Sequence, residues 1–466
     1  MNLRTKLVIT AFLSAATPVL MACTASAATL NPPHDGAWHW FQSAAGGANQ
    51  TPPYALQCMD QSYTGIGISI PPIGGSKVLF LLDGGGLCYD ATSCANRENL
   101  LSVAAFVLPG SSQGVPPTSG VPFVARTSYS TADFLADIYT NTGEPANGIY
   151  TWSKPRLMRG VFDRTNPILN PFWDWTFVFL PYCSGDLHVG NKTGLDTTSG
   201  LGARTPSGAL FHGYSNTTDS YALALNALTA GLIPIQPSAV VLSGGSAGGF
   251  GAVYTYSALR SMVSSSVKIT VIDDGGDPLW TGTAVNPGPV WGARPGFLGK
   301  QGTQGHVSFT EDLEADAWNL DSVFSASLQY STPGSLRSMY PIQNVFVHDA
   351  TLTPTDTFAS IDSTNDWLYS YGFPLNFGQP SATPPVPPAN PNLAGAQNDF
   401  VTFVINSHAN TRFFPVSNTG QFAFGLFPWN NHHTFLGDDV SAWGSPTATP
   451  PGSGLGAMLA SLGITP

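Results

Sequence analysis

An open α/β sheet, mostly parallel, with helices on both faces and long loop insertions, is the fold class this sequence predicts. Three observations carry that expectation. Several short runs are apolar throughout instead of alternating, which is how strands buried on both faces read. Helical spacing falls between those runs, and strand followed by helix several times over is the signature of an open α/β sheet. Charged residues are only 10% of the 466, with 42% hydrophobic and 50 Gly and 39 Pro, which argues against coiled coil and against disorder driven by charge.

The chain opens with Arg4 and Lys6, an apolar run from Leu7 to about Ala22, and the small-residue sequence Ala25-Ser26-Ala27. These are the three parts of a secretory signal cleaved near Ala27, so the mature protein is expected to be secreted or periplasmic. Removing the two cations takes the formal charge from −11 to −13. An uncleaved anchor and a lipid anchor through Cys23 are the alternatives at this end. No later segment has about 18 consecutive uncharged apolar residues, so no membrane span is expected after the signal. With 17 basic against 28 acidic residues there is no electrostatic footprint for a nucleic-acid backbone, which excludes DNA and RNA as partners.

Export also sets how the five cysteines read. Loss of Cys23 leaves Cys58, Cys88, Cys94 and Cys183, an even four in an oxidising compartment, and three pairings into two disulfides are open. Cys88 and Cys94 are close enough for a local clip, which would leave Cys58 with Cys183. No CxxC pair or HExxH helix accompanies them, so no metal site is expected.

After a loop-rich stretch from 28 to 60, the expected strands are Lys77–Leu82, Trp175–Leu180, Ala239–Leu242, Val267–Ile272, Asn344–Val347 and Thr411–Val416. The expected helices are Ser220–Ala230, Gly248–Met262 and Asn392–Ser407. Gly-, Pro-, Ser- and Thr-rich stretches at 108–122, 192–208, 377–391 and 444–454 read as surface loops or tail. No linker or internal repeat divides the chain, so residues 28–443 are expected to form one domain, followed by a Pro/Gly-rich tail over 444–466.

The strongest chemical signal is Val240-Val241-Leu242-Ser243-Gly244-Gly245-Ser246-Ala247-Gly248-Gly249-Phe250-Gly251. It places G-x-S-x-G between a buried strand and a helical stretch, where a tight turn lifts a nucleophile to the C-terminal edge of the sheet and only small neighbours let the backbone bend. A phosphate loop would need a Lys after its last glycine, and there is none. Upstream, Asp83-Gly84-Gly85-Gly86 follows another buried strand. Three glycines there leave backbone N–H groups free to face a substrate oxygen; a simple turn is the alternative.

These segments, with Leu180-Pro181-Tyr182-Cys183-Ser184-Gly185-Asp186, resemble the pectin acetylesterase family over roughly residues 55 to 440. The resemblance implies an α/β-hydrolase-like fold, a Ser, Asp and His triad, and disulfides joining Cys88 with Cys94 and Cys58 with Cys183. One position departs from the family: Leu87 stands where an aromatic residue usually adjoins the Gly-rich cysteine.

The acid is expected after the next-to-last strand. With that strand read as Asn344–Val347, Asp349 follows it and matches the family's acid, while Asp273, Asp274 and Asp277 form a rival cluster after the preceding strand. His348 would point the other way and is read as structural. The base belongs on a loop after the last strand, which selects His433, with His432 beside it and His408 as the further alternative if the helix over 392–407 is misread. Ser246, Asp349, His433 is the α/β-hydrolase chain order. In this scheme the imidazole takes the Ser246 proton, the acid orients the imidazolium, and Gly85, Gly86 and Ala247 donate N–H groups to the oxyanion, with no cofactor.

The resemblance implies removal of short acyl groups, acetyl above all, from a polysaccharide. A charge near −13 offers no general attraction to a polyanion such as pectin. The 11 Trp, 15 Tyr and 27 Phe suit either a sugar platform or a pocket for a hydrophobic ester or polyester. A non-catalytic secreted binding protein on the same scaffold is the remaining alternative.

Overall fold

A computed structural model describes residues 31–43, 55–86, 128–139, 156–165, 167–168, 170–193, 210–230, 233–276, 318–324, 342–363, 401, 405–416 and 455–465. Eight strands form one sheet: β1 (His39–Gln42), β2 (Gly65–Ser69), β3 (Lys77–Leu82), β4 (Thr176–Leu180), β7 (Ala239–Gly245), β8 (Lys268–Asp274), β9 (Thr357–Ser363) and β10 (Thr411–Val416). Two-residue strands β5 (Lys192–Thr193) and β6 (Leu210–Phe211) pair separately. The sheet order is β1-β2-β4-β3-β7-β8-β9-β10. Counting its own strands only, it runs first, second, fourth, third, then fifth to eighth. The β1–β2 and β2–β4 pairs are antiparallel and every other pair is parallel, the arrangement of an α/β hydrolase.

Alternation along the strands explains why the runs are apolar throughout. Val78, Phe80, Val240, Leu242, Ile269, Val271 and Phe358 face one core, while Leu79, Phe177, Phe179, Val241, Ile272 and Ala359 face the other. Helix α1 (Thr131–Tyr139) contributes Phe134 and Ile138 to the second core. Helices α2 (Gly213–Ala230), α3 (Ala247–Met262) and α4 (Ile342–Leu352) fill the first with Tyr221, Leu228, Phe250, Val253, Val345 and Phe346. Both faces of the parallel strands are therefore covered by helices.

Four expectations need correction or extension. The run Asn344–Val347 is not a strand but lies in α4. Its buried residues are Val345, Phe346, Asp349 and Ala350, a spacing of one and four that belongs to one face of a helix; a short β-branched run cannot be told from a buried helix segment by composition. The true next-to-last strand is β9, Thr-Phe-Ala-Ser-Ile-Asp-Ser. The sequence masks it because Ser360 and Asp362 occupy alternate positions and are nonetheless buried. The loop-rich stretch 28–60 contains β1. The C-terminal segment is no free tail: α5 (Leu455–Ser461) and the residues after it bury Met458, Leu459, Leu462 and Ile464 in the second core. Of the helix expected over 392–407, residues 405–407 form a 3-10 turn, and most of the rest lies outside the described residues.

Cys58 and Cys183 are joined by a disulfide, as the sequence implied. It ties the loop before β2 to the segment after β4, and both cysteines are buried. Cys88, Cys94 and the residues of the signal lie outside the described residues. Among the described residues no helix is long and apolar enough to cross a membrane.

Candidate active site

Strand β7 runs into the turn at Ser246 and α3 begins at the next residue. Ser246 has φ 55° and ψ −119°, a left-handed conformation that a residue with a side chain adopts only when its surroundings impose it. They do so here from both sides. The Ser246 N–H donates to the Asp274 carbonyl at the end of β8 (2.9 Å), and the Ser246 carbonyl accepts from Gly249 N–H (2.8 Å). A side chain on Gly244 would collide with the Gly248 backbone, and one on Gly248 with the Leu82 carbonyl. The glycines of the motif thus let the first turn of α3 rest directly on the ends of β3 and β7.

The Gly-rich loop after β3 lies against this turn. A Cβ on Gly84 would overlap the Gly245 carbonyl and come within 3.2 Å of the Ser246 Cβ. Gly86 has φ 71°, open to glycine at little cost. Gly84, Gly85, Gly245 and Ser246 are partly exposed, whereas Leu82, Asp83, Gly86 and Ala247 around them are buried. The turn therefore brings together one hydroxyl, the N-terminus of a 16-residue helix and a glycine backbone. Such a combination suits attack on a carbonyl whose oxygen becomes negative.

The Pro-Tyr-Cys segment braces the loop from behind. Buried Tyr182 donates its hydroxyl to the Gly86 carbonyl (2.9 Å) and accepts from Leu187 N–H (2.8 Å). His188 reaches the Asp83 carbonyl through Nε2 (2.9 Å) and Thr217 Oγ1 through Nδ1 (3.1 Å). A carbonyl can only accept, so Nε2 carries the proton and Nδ1 accepts from the threonine. The Tyr182 and His188 rings pack with centroids 4.7 Å apart, tilted by 34°. Burial holds the His188 pKa down at about 3, keeping it neutral, and burial followed by the charge of Asp186 pushes the Tyr182 hydroxyl well up. Asp186 accepts from Ser184 Oγ (2.5 Å) and from Gly213 N–H (2.8 Å) at the start of α2. Burial nevertheless raises its pKa to about 6. Sequence reasoning had used Tyr182 only as a family marker and had missed His188 and Asp186 as parts of the site. The partners of His188 and Asp186 across the fold, the Asp83 carbonyl and the Gly213 N–H, are distant in the chain and leave no local pattern.

Other expected residues fall elsewhere. Asp349, on α4, accepts from Ser257 Oγ (2.8 Å) and contacts His348 Nδ1 (3.0 Å). Ser257 lies three turns along α3 from Ser246, about 16 Å at 1.5 Å per residue. One imidazole with two hydrogen bonds spans roughly 8 Å, so Asp349 is corrected to a residue of the α3–α4 packing. His408 precedes β10, at the sheet edge opposite Ser246, and its Nε2 meets Thr351 Oγ1 (2.9 Å); it is not positioned as a base. Of the rival acids, Asp273 is fully buried, with Oδ1 accepting from Gly276 N–H (2.9 Å). Burial, then repulsion from Asp362 and Asp274, pushes its pKa well up, which favours a neutral carboxyl. Asp277, His432 and His433 lie outside the described residues. Among the described residues no three His, Cys, Asp or Glu side chains converge as a metal site would require.

Residues 148–279 match the family model described as pectinacetylesterase. That span contains both the Pro-Tyr-Cys segment and the Ser246 turn. No curated protein sequence matches the chain. Among solved structures, a crystal form of the Wnt deacylase Notum from Drosophila is 16% identical, covering 78% of this chain and 81% of that one with a TM-score of 0.45. A second crystal form of the same protein is also 16% identical, covering 81% and 84% with a TM-score of 0.42.

Proposed function

We propose that this chain, whose residues 148–279 match the family model described as pectinacetylesterase, is a secreted serine esterase that removes short acyl groups, chiefly acetyl, from a polysaccharide. The observation that carries this reading is the left-handed Ser246 at the strand-to-helix turn, lying against the Gly84–Gly86 loop. Ser246 Oγ attacks the ester carbonyl while its proton passes to His433, with His432 as the alternative base on the same loop. N–H groups of Gly85, Gly86 and Ala247 receive the oxyanion. The imidazolium then protonates the departing sugar oxygen, which leaves as a hydroxyl, and water, deprotonated by the same base, releases the acid from the acyl-enzyme.

Moving the next-to-last strand from 344–347 to β9 moves the acid with it. Asp362 stands at the end of β9 and Asp366 three residues beyond that end in sequence. Asp362 is buried within the strand end and accepts from Ser360 Oγ (2.6 Å), a setting closed to a histidine carried on a later loop. Asp366 is therefore the acid we assign. The disulfide supports an oxidising compartment, in keeping with the signal pattern at residues 1–27.

The test is hydrolysis of acetylated pectin, acetylated xylan, nitrophenyl acetate and polyester films by the wild type and by Ser246→Ala. Loss of all activity in a folded Ser246→Ala protein is expected, with release of acetate from a polysaccharide by the wild type. An active Ser246→Ala protein sinks the serine mechanism. A wild type inert to every ester favours the binding-protein alternative, and turnover confined to films favours the polyester one.

A further inference from the structure

We propose that Tyr182 and His188 are positioning residues for the oxyanion loop, acting as a two-point clamp on the peptide units at either end of Gly84–Gly86. The proposal rests on the esterase reading and deepens it. The Asp83 carbonyl belongs to the same planar peptide as the Gly84 N–H, and the Gly86 carbonyl to the same peptide as the following N–H. Hydrogen bonds on these two oxygens therefore fix the peptide units that flank the Gly85 and Gly86 N–H groups, so that the donor segment is held at both ends. His188 Nε2–H holds the first (2.9 Å) and Tyr182 Oη–H the second (2.9 Å).

Neither donor is free to turn away. His188 is held at its other nitrogen by Thr217 on α2, and it packs so closely on Gly251 of α3 that a side chain there would come within 2.8 Å of the His188 Cβ. Tyr182 is held by Leu187 N–H and packs against the His188 ring. Leu187 and His188 both have positive φ, 54° and 64°, an unfavourable backbone for side-chain-bearing residues. The fold tolerates it at the one place where the histidine is delivered to the loop. A glycine triplet has the greatest conformational freedom of any tripeptide, and an oxyanion site works only if its donors are fixed before the charge develops. The clamp supplies rigidity that the loop's own residues cannot.

The experiment compares wild type, Tyr182→Phe, His188→Gln and His188→Ala for kcat and KM on a nitrophenyl ester, for thermal midpoint, and for the rate at which a fluorophosphonate labels Ser246. Tyr182→Phe keeps the ring and loses only the donor. Its kcat is expected to fall by about 10- to 100-fold, less than the ~10²–10³-fold typical of losing an oxyanion donor itself. KM and the pH dependence of kcat should change little, because the ground-state ester and the base are untouched. His188→Gln retains an N–H donor of similar reach and is expected to recover most of the activity lost by His188→Ala. A folded Tyr182→Phe protein with kcat within twofold of wild type overturns the clamp, as does His188→Gln no better than His188→Ala. A wild type that forms no fluorophosphonate adduct on Ser246 overturns the esterase reading instead, so the two failures are told apart.

Discussion

The conformation of Ser246 makes a stability prediction that runs opposite to its chemical importance. At φ 55° and ψ −119° a side-chain-bearing residue sits in a sparsely populated region, at a typical cost of about 1–3 kcal/mol. Ser246→Ala removes the hydroxyl and keeps the Cβ, so it keeps the strain. Ser246→Gly removes both, and gives back about 0.5–1 kcal/mol through the greater freedom of glycine in the unfolded chain. The glycine variant should therefore be more stable than the alanine variant by about 1–2 kcal/mol. Equilibrium urea unfolding measures this: for a slope of ~3 kcal/mol/M, the midpoint should rise by about 0.5 M with the slope unchanged. Both variants should be inactive, so stability and turnover are separated at one atom. A Ser246→Gly protein no more stable than Ser246→Ala would refute the reasoning, since it would mean the turn is held without strain.

Replacing both Cys58 and Cys183 with Ser should destabilise strongly. The bond closes a sequence separation of 125 residues, worth about 5 kcal/mol in the chain-entropy account; over roughly 440 residues this lowers the calorimetric midpoint by about 5 °C, and a shift under 1 °C would contradict it. His188, whose pKa falls to about 3 in the fold, binds a proton more readily when unfolded, so its contribution is present above about pH 6.5 and lost as pH falls toward 3. His188→Gln cannot protonate and should remove an acid-side loss of order 5 kcal/mol, read as a flatter stability profile between pH 6.5 and 3. Asp349→Asn should retain turnover, whereas Asp366→Asn should lower kcat by several orders of magnitude; the reverse result would restore the acid to α4. His433→Ala should be inactive and His408→Ala active in the same ester assay.

The local chemistry of the chain was legible wherever a few adjacent residues carry it. Lys77–Leu82 and Thr411–Val416 read as strands because apolar, aromatic and β-branched residues dominate each run, and they fold with those bounds. The Ser246 turn was legible because a tight strand-to-helix bend needs glycines at fixed offsets from the serine, a constraint written within five residues. What the tertiary structure alone decided is where distant segments meet. β9 was hidden because its polar Ser360 and Asp362 are buried by neighbours the sequence does not name, and Val345-Phe346-Val347 was misread because a β-branched run packs equally well on a helix face. That single exchange moved the expected acid from the end of a strand to the far end of α3. His188 shows the same limit from the other side: a histidine with no motif around it becomes part of the site only because the fold carries it to the carbonyl of Asp83, 105 residues earlier in the chain. Periodicity and turn chemistry are properties of neighbouring residues, whereas hydrogen-bond partners across the sheet depend on register and crossover, which no short stretch of sequence encodes.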